Sequence, residues 1–251
     1  MKSKDLIYGL LLLFFPLFMA SCLDEGGNEI TLASQPAVVK LGANNTKMLM
    51  LKGGDRILSE TLNNNAEIEI GDCGLADFVL DYSDPLNINS KEDSMYTVKS
   101  LKFEKIDKAQ LQSTLSDTSR VMSGEKIVTA IREKSLLMEN NLFLFTEHTM
   151  KFDLGEINFS YDKSSAPTVE QGGSRVYTIY MRIVGDSINT QKEIKYNVLA
   201  LDSLLVNQAG LEQTAGADSI NFRIKYLSAI KSDSTAAWKT SQQYTIRLPE
   251  K

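Results

Sequence analysis

Two cysteines and one histidine are the strongest candidates for nucleophilic or metal-binding chemistry in this 251-residue chain. His148 would need a nearby nucleophile for Ser-His-Asp catalysis, or further ligands for a metal site. The sequence contains no Gly-x-Ser-x-Gly elbow, no Cys-x-x-Cys pair and no glycine-rich phosphate-binding loop. We therefore expect no catalytic residue, no metal and no cofactor, and we place His148 on the surface or at a strand end before Met150.

Paired carboxylates could hydrolyse glycosidic bonds. Asp153 and Glu156 lie close together, as do Asp77 and Asp81. Both pairs fall where turns or exposed strand faces are expected, so solvated side chains are the preferred interpretation. An aromatic residue is the better candidate for binding. Trp238, the single tryptophan, lies between two predicted strands, where it could anchor a ligand or cover the end of a β-sandwich.

The first cysteine, Cys22, follows a segment typical of a signal peptide. Two lysines give it a positive start, and residues 6–18 are mostly apolar. This stretch is shorter than the ~20 residues that a membrane-spanning helix needs. The small residues Ala20 and Ser21 precede the cysteine, where a protease needs little side-chain bulk. We therefore assign residues 1–21 to a signal peptide that is cleaved between Ser21 and Cys22.

The residues Met19-Ala20-Ser21-Cys22 resemble a bacterial lipobox, with methionine where leucine is usual. The resemblance implies that the Cys22 thiol receives diacylglycerol and that the new amino group is acylated with a fatty acid such as palmitate. Such an anchor holds firmly because each buried methylene contributes ~0.8 kcal/mol. Cys73 is then the remaining thiol, so no intramolecular disulfide can form, and we expect it to be buried.

Leu23-Asp24-Glu25 looks like the acidic export signal of Bacteroidetes lipoproteins. The resemblance implies a lipid-anchored protein of the outer membrane that is exposed at the cell surface, with outer-membrane lipid as its partner. Residues 22–35 are expected to be the lipidated cysteine and a flexible tether. The alternative is that the two carboxylates only solvate this tether.

A second pattern, Asp-Ser followed by an aliphatic residue or threonine, resembles the O-glycosylation acceptor of secreted Bacteroidetes proteins. This composition predicts about one such triplet by chance. The alternative is conformational, because Asp and Ser also cluster in β-turns. The candidate acceptors are Ser94, Ser187, Ser203, Ser219 and Ser234.

The charge balance argues against one class of partner. The chain carries a formal net charge of -5 at pH 7, and its lysines and arginines form no basic stripe. Nucleic-acid binding needs such a stripe to neutralise phosphates, so we expect no nucleic-acid partner.

Apolar and polar residues alternate with a period of two over most of the mature chain, which predicts an all-β protein. Residues 36–108 read as a small barrel, residues 109–124 as a linker, and residues 125–251 as an antiparallel β-sandwich. Residues 125–141 fit either a helical face or short strands, and we favour strands. Turns are expected at Gly53-Gly54-Asp55, Gly172-Gly173, Gly185-Asp186 and Gly210.

The hairpin segment Gly53-Gly54-Asp55-Arg56-Ile57-Leu58 and the segment from Gly74 to Tyr82 resemble NigD-like lipoproteins of Bacteroidetes. Here the glycines precede the aspartate, and Gly74-Leu75-Ala76-Asp77 stands where the family has Gly-x-Arg. The resemblance implies an N-terminal OB-like domain followed by a β-sandwich. That family has no well-defined biochemical activity, so the resemblance implies a fold and no mechanism.

Location and the lack of a catalytic motif together suggest a function. We expect a non-enzymatic accessory or binding lipoprotein that handles a glycan or a protein partner at the cell surface. A fimbrillin-like structural subunit is a second hypothesis, in which a strand is donated to a polymer; Lys40 and Arg56 would then offer protease sites. The third hypothesis is a hydrolase with an unrecognised site.

Overall fold

The computed structural model describes residues 28–115 and 117–249, and these residues form two compact units. The first unit comprises residues 28–70 and 75–103, and the second comprises the remaining described residues. Strands dominate both units. The all-β class expected from the alternating pattern is therefore confirmed.

The first unit is a nearly closed barrel with two short helices. Its elements are β1 (Glu29–Leu41), β2 (Lys47–Leu51), β3 (Arg56–Leu58), α1 (Glu60–Asn64), β4 (Cys73–Asp81), α2 (Ser90–Asp93), β5 (Met95–Thr97) and β6 (Leu101–Ile106). The strand order in the sheet is β5-β3-β2-β1-β4-β6. The core between the strands contains Ala37, Val39, Leu49, Ile57, Leu62, Phe78 and Leu80, among others.

The turn between β2 and β3 forms where the sequence predicts it. Gly53 and Gly54 have φ values of 92° and 94°, a conformation that costs glycine little. The Leu51 amide donates to the Asp55 carbonyl over 2.8 Å and closes the hairpin. The hairpin turn expected at Gly53-Gly54-Asp55 is therefore confirmed.

Strand β1 begins earlier than the sequence suggests. Residues 29–35, expected in the tether, belong to β1. The Tyr82 amide donates to the Asn28 carbonyl over 2.9 Å, and the Ser34 amide donates to Asp77 Oδ1 over 2.6 Å. These bonds hold the segment against the β4 side of the sheet, because a paired backbone no longer needs water.

The second unit is a larger sheet whose two halves share one core. Its elements are β7 (Lys108–Gln112), β8 (Ala130–Ile131), β9 (Leu136–Met138), β10 (Asn141–His148), β11 (Lys151–Ser160), β12 (Thr168–Val169), β13 (Arg175–Asn189), β14 (Glu193–Ala200), α3 (Asp202–Thr214), β15 (Ser219–Ile230) and β16 (Ala236–Arg247). The order is β16-β15-β13-β11-β7-β14-β10-β8, with β12 beside β13 and β9 beside β10. Strands β8 and β9 confirm the strand interpretation of residues 125–141.

Strand β7 joins the two halves of the sandwich. Its first residues pair with β14, where Lys108 faces Val198, and its last residues pair with β11, where Leu111 faces Phe159. Apolar side chains from both halves meet between them. The start of the predicted linker, residues 109–112, is therefore a structural strand.

Three features of the second unit differ from the sequence expectation. Strand β7 is parallel to both neighbours, and β13 is parallel to β15. Gly210 lies within α3 and is not a turn, because the chain crosses from β14 to β15 through this helix. Gly185-Asp186 is not a turn either, since β13 continues to Asn189 and pairs these residues with β11.

Candidate ligand-binding face of the second unit

Strand β13 presents a polar and aromatic face opposite the core. Tyr177, Ile179 and Met181 belong to the core. Side chains alternate along a strand, so Thr178, Tyr180 and Arg182 point to the other side, and we call these three residues the outer face of β13. Tyr180 lies opposite Ser160 of β11 and Lys225 of β15.

Trp238 lies in β16 and not in a loop as expected, because β16 begins at Ala236 and pairs Trp238 with Leu227. Its ring meets Tyr180 edge-on, with centroids 5.2 Å apart. Its indole Nε1 donates to the Thr118 carbonyl over 3.3 Å. The side chain is half-buried. Through the hydrogen bond to Thr118 it anchors the segment that contains this residue.

Residues 117–125, which we call the strap, cross the outer face of β13. Arg182 is only 3% exposed. Its guanidinium donates to both Glu125 carboxylate oxygens over 2.8 and 2.6 Å and to the Arg120 carbonyl over 2.6 Å. A further bond joins it to the Asp117 carbonyl. Because these side-chain hydrogen bonds of Arg182 all end on the strap, the arginine holds the strap against the sheet.

A cavity of about 430 Å³ lies beside the strap. Its wall is formed by polar residues and by two apolar residues of the strap. The polar ones include Arg182, Arg120, Gln112, Glu156 and Asn158, and the apolar ones are Val121 and Met122. Amide, guanidinium and carboxylate groups therefore line one opening, and they offer both hydrogen-bond donors and acceptors.

A second cavity of about 190 Å³ lies along the same strand. Tyr161, Thr178 and Tyr180 line it, together with Asp162 and Ser165 of the chain that follows β11. Asp162 accepts bonds from Ser164 and from Ser165. Bonds from the Ser164 and Ser165 side chains lower the pKa of Asp162 to about 2, so this carboxylate is ionised at neutral pH.

His148 is engaged in structure. It is the last residue of β10, as expected, but it is only 1% exposed. Nδ1 lies 3.1 Å from the Ile127 carbonyl, which can only accept, and Nε2 lies 2.9 Å from Thr146 Oγ1. Burial lowers the pKa of His148. A neutral imidazole that donates from Nδ1 satisfies both partners.

The carboxylate pairs proposed for hydrolysis are in structural or solvated positions. Asp77 accepts from the Ser34 amide. Asp81 accepts from the Ser83 amide and hydroxyl, and these bonds lower its pKa. Asp153 and Glu156 are exposed on β11, and only Glu156 borders the larger cavity. Within residues 28–115 and 117–249, no three His, Cys, Asp or Glu residues are grouped so as to hold a metal ion.

The candidate glycosylation serines differ in their exposure. Ser187 and Ser234 are exposed, and Ser187 Oγ accepts from Lys126 Nζ over 2.8 Å. Ser94, Ser203 and Ser219 are half-buried; Ser203 lies in α3 and Ser219 begins β15. Accessible sites thus occur at two of the five triplets.

The proposed lipidation and cleavage residues, Cys22 and Ser21, lie outside the described residues. Cys73 is fully buried, as expected, with Sγ 3.9 Å from the Gly71 carbonyl. No helix in the described part of the chain is both long enough and apolar enough to cross a membrane.

A buried polar cluster on α3 is not anticipated by the sequence. Glu212, 1% exposed, accepts from Arg175 at both oxygens and from the Tyr177 hydroxyl over 2.6 Å. Burial and the carboxylate raise the pKa of Tyr177, so its hydroxyl stays a donor. Gln208 lies one turn earlier and is also buried. The buried side of α3 is formed by Leu204, Gln208 and Glu212. Two of these are polar, so the sequence lacks the apolar residues at helical spacing by which an amphipathic helix is recognised.

Solved structures from Bacteroidales share the fold at low sequence identity. An uncharacterized protein from Parabacteroides merdae is 21% identical, with a TM-score of 0.69 over 87% of this chain and 100% of that chain. A protein described as a lipoprotein from Bacteroides fragilis is 10% identical, with a TM-score of 0.55 over 87% of this chain and 98% of that one. At such identity these likenesses show the fold alone.

A NigD-like immunity protein from Bacteroides caccae is also similar, at 14% identity over 86% of this chain and 93% of that chain. Its TM-score of 0.46 is too low to support an argument. None of the curated proteins matches the sequence.

Residues 27–103 match the family model described as a lipoprotein OB domain. This range covers β1 to β5 and the start of β6, which form the nearly closed barrel. The match confirms the lipoprotein and OB-fold expectations drawn from the hairpin and the following strand. The N-terminal unit is therefore similar to the lipoprotein OB domain family, over less than half of the 251-residue chain.

Proposed function

We propose that this lipoprotein is a non-enzymatic binding module, anchored by lipid at Cys22 to the outer membrane and displayed at the cell surface. We further propose that the larger cavity beside the strap binds a glycan. The observation that carries the proposal is the set of polar side chains that line this cavity between two strands and the strap. The buried Arg182–Glu125 pair holds the strap in place.

Size and chemistry of the cavity support a sugar. Its volume of about 430 Å³ falls within the ~300–1,000 Å³ usual for small-molecule sites. Sugar hydroxyls both donate and accept hydrogen bonds. Arg120 can donate, Glu156 can accept, and the amides of Gln112 and Asn158 can do both.

A rigid strap supports binding as well. Because Arg182 already ties residues 117, 120 and 125 to the sheet, the wall is formed before a ligand arrives. A preformed wall lowers the ordering cost of association. The engagement of His148 and the solvated carboxylates favour binding over hydrolysis.

Glycan-array binding of the mature protein, followed by calorimetry with the best oligosaccharide, tests the cavity. Arg120→Ala and Asn158→Ala should each weaken binding by about tenfold, because each removes a hydrogen bond worth ~1 kcal/mol or more. Arg247→Ala and Asp153→Asn are matched controls; both residues are exposed and neither lines the cavity.

Three results would contradict this assignment. Binding to no glycan on the array would remove the ligand class, and equal affinity in cavity variants and controls would remove the site. Release of shorter sugars from the bound oligosaccharide would show a hydrolase.

The anchor and its location have separate tests. Mass spectrometry should find diacylglyceryl and a fatty acyl chain on Cys22 as the mature N-terminus, and Cys22→Ser should release an unacylated protein. Protease added to intact cells should digest the wild-type protein; its survival would contradict surface display. Glycopeptide analysis should find any O-glycan at Ser187 or Ser234, the exposed candidates.

A further inference from the structure

Three exposed apolar side chains of the first unit belong to the start of β1 and to the chain that follows β4. Leu86 is 71% exposed, Ile88 is 75% exposed, and Ile30, the second residue of β1, is 47% exposed. Large apolar side chains in water are unfavourable, and their grouping on a surface commonly marks a site of contact.

These side chains lie where the chain arrives from Cys22. The Asn28 carbonyl accepts from the Tyr82 amide over 2.9 Å, so the start of β1 is beside the end of β4. Two residues later, Asp84 Oδ1 accepts from the Leu86 amide over 3.0 Å. The exposed turn is therefore built directly on the chain end that leads to the proposed anchor.

The turn holds Leu86 and Ile88 outward because the residue between them is fixed inward. Asn87 is only 3% exposed. Its side chain donates to the Asp81 and Thr97 carbonyls over 2.8 and 3.0 Å and accepts from the Thr97 amide over 2.7 Å. Three hydrogen bonds on a buried amide rigidify the turn, so exposure of its neighbours is part of the fold.

Two lysines border the same turn, and one of them is paired with a carboxylate. Lys99 Nζ lies 3.0 Å from Asp84 Oδ2, and its side chain is 82% exposed. Lys91 Nζ lies 5.4 Å from the centre of the Tyr82 ring. Because Lys99 is paired with Asp84, attraction to a lipid surface is expected to come mainly from the apolar side chains.

The chain between Cys22 and Asn28 is short. Six residues span at most about 22 Å in any conformation. The earlier start of β1 therefore limits how far this end of the first unit can be from acyl chains carried by Cys22.

We propose that Leu86, Ile88 and Ile30 insert into the lipid surface beside the anchored Cys22, so that the first unit rests on the membrane. This inference depends on the proposed lipid anchor. The occupant of the apolar surface is bilayer lipid, at the boundary between headgroups and acyl chains.

Depth-dependent fluorescence quenching tests this contact. The acylated full-length protein with Ile88→Cys is labelled with a polarity-sensitive fluorophore and reconstituted into vesicles of phosphatidylethanolamine and phosphatidylglycerol. Labelling is selective because Cys73 is fully buried and the Cys22 sulfur carries diacylglycerol. Leu41→Cys is the matched control, since Leu41 is 56% exposed at the other end of β1.

The Ile88 label should shift to the blue and lose most of its emission when the acyl chains carry spin-label quenchers. The Leu41 label should keep its emission, and adding Leu86→Asp should reduce quenching at position 88. Equal quenching at both positions, or none at Ile88 in protein with confirmed acyl mass, would overturn the membrane contact alone. Absence of acyl mass would instead overturn the anchor. Protection of the label only in whole cells would assign the surface to a protein partner.

Discussion

The strap and helix α3 are both held to β13 by an arginine, but from opposite sides of the strand. Arg182 fixes the strap on the outer face and is 3% exposed, with a fully buried Glu125 partner side chain. Arg175 reaches Glu212 of α3, and its side chain is 35% exposed. One strand thus positions an irregular segment and a helix with the same kind of arginine–glutamate pair. The two pairs differ in how far the arginine is exposed to solvent.

The solvent exposure of each arginine–glutamate pair determines how much its removal should lower the free energy of unfolding. A charge left without its partner in a dry site loses both hydration and attraction, whereas a partly exposed arginine can turn to water. Trp238, the sole tryptophan, lies in the second unit, so its fluorescence reports the unfolding of that unit within the whole chain.

The largest effect is expected from Arg182→Leu. This change leaves Glu125 buried without its partner and frees two strap carbonyls, and it should lower the free energy of unfolding by about 3–5 kcal/mol. Urea unfolding followed by Trp238 fluorescence measures it. The double variant Arg182→Leu/Glu125→Leu should recover part of the loss; a single-variant cost below about 1 kcal/mol would show that the strap does not depend on this pair.

A smaller loss is expected from Glu212→Gln. The amide removes the charge that Arg175 and Tyr177 share, yet Arg175 can be hydrated, so the cost should be about 1–3 kcal/mol in the same urea experiment. If this loss equalled that of Arg182→Leu, depth of burial would not explain the difference between the two anchors.

His148 should make the stability of the region next to the strap depend on pH. Its ring binds the carbonyl of Ile127, two residues beyond the strap. Burial lowers its pKa below the ordinary value of 6.5. The unfolded chain therefore binds the proton first, and stability should fall as pH decreases below about 6.5. In His148→Gln, the urea midpoint should change less between pH 7 and pH 5 than it does in the wild-type protein. An equal change in both proteins would show that His148 does not cause the loss of stability.

The smallest effect is expected from Glu170→Gln. Glu170 pairs with Arg223 over 2.5 and 2.9 Å, and both side chains are about one-third exposed. Such a pair contributes about 0–1 kcal/mol. The variant is the control for Glu212→Gln, since both remove one carboxylate bonded to arginine. A loss above 2 kcal/mol would be inconsistent with solvent screening.

Most strands were predictable, because a half-buried strand alternates apolar and polar residues. In β15, Ile220, Phe222 and Ile224 alternate into the core, and the Gly53-Gly54 turn follows from the φ values that glycine allows. Helix α3 was not predictable, since two of its three buried stripe residues, Gln208 and Glu212, are polar.

The candidate site escaped prediction for a related reason. Residues of the strap are polar and read as a linker, while Arg182 occupies a position where an alternating strand normally meets water. Only the folded chain brings Glu125 to it. Trp238 was identified, but its contact with Tyr180 depends on the long-range pairing of β16 with β15.

Strand β7 has a consequence for the order in which the protein is made. Lys108 finds its partner only when Val198 emerges, and Leu111 only when Phe159 does. During synthesis, therefore, β7 remains unpaired after the strands of the first unit have been made. Contacts so distant in sequence slow folding, and a chaperone that shields the unpaired β7 should raise the yield of folded protein.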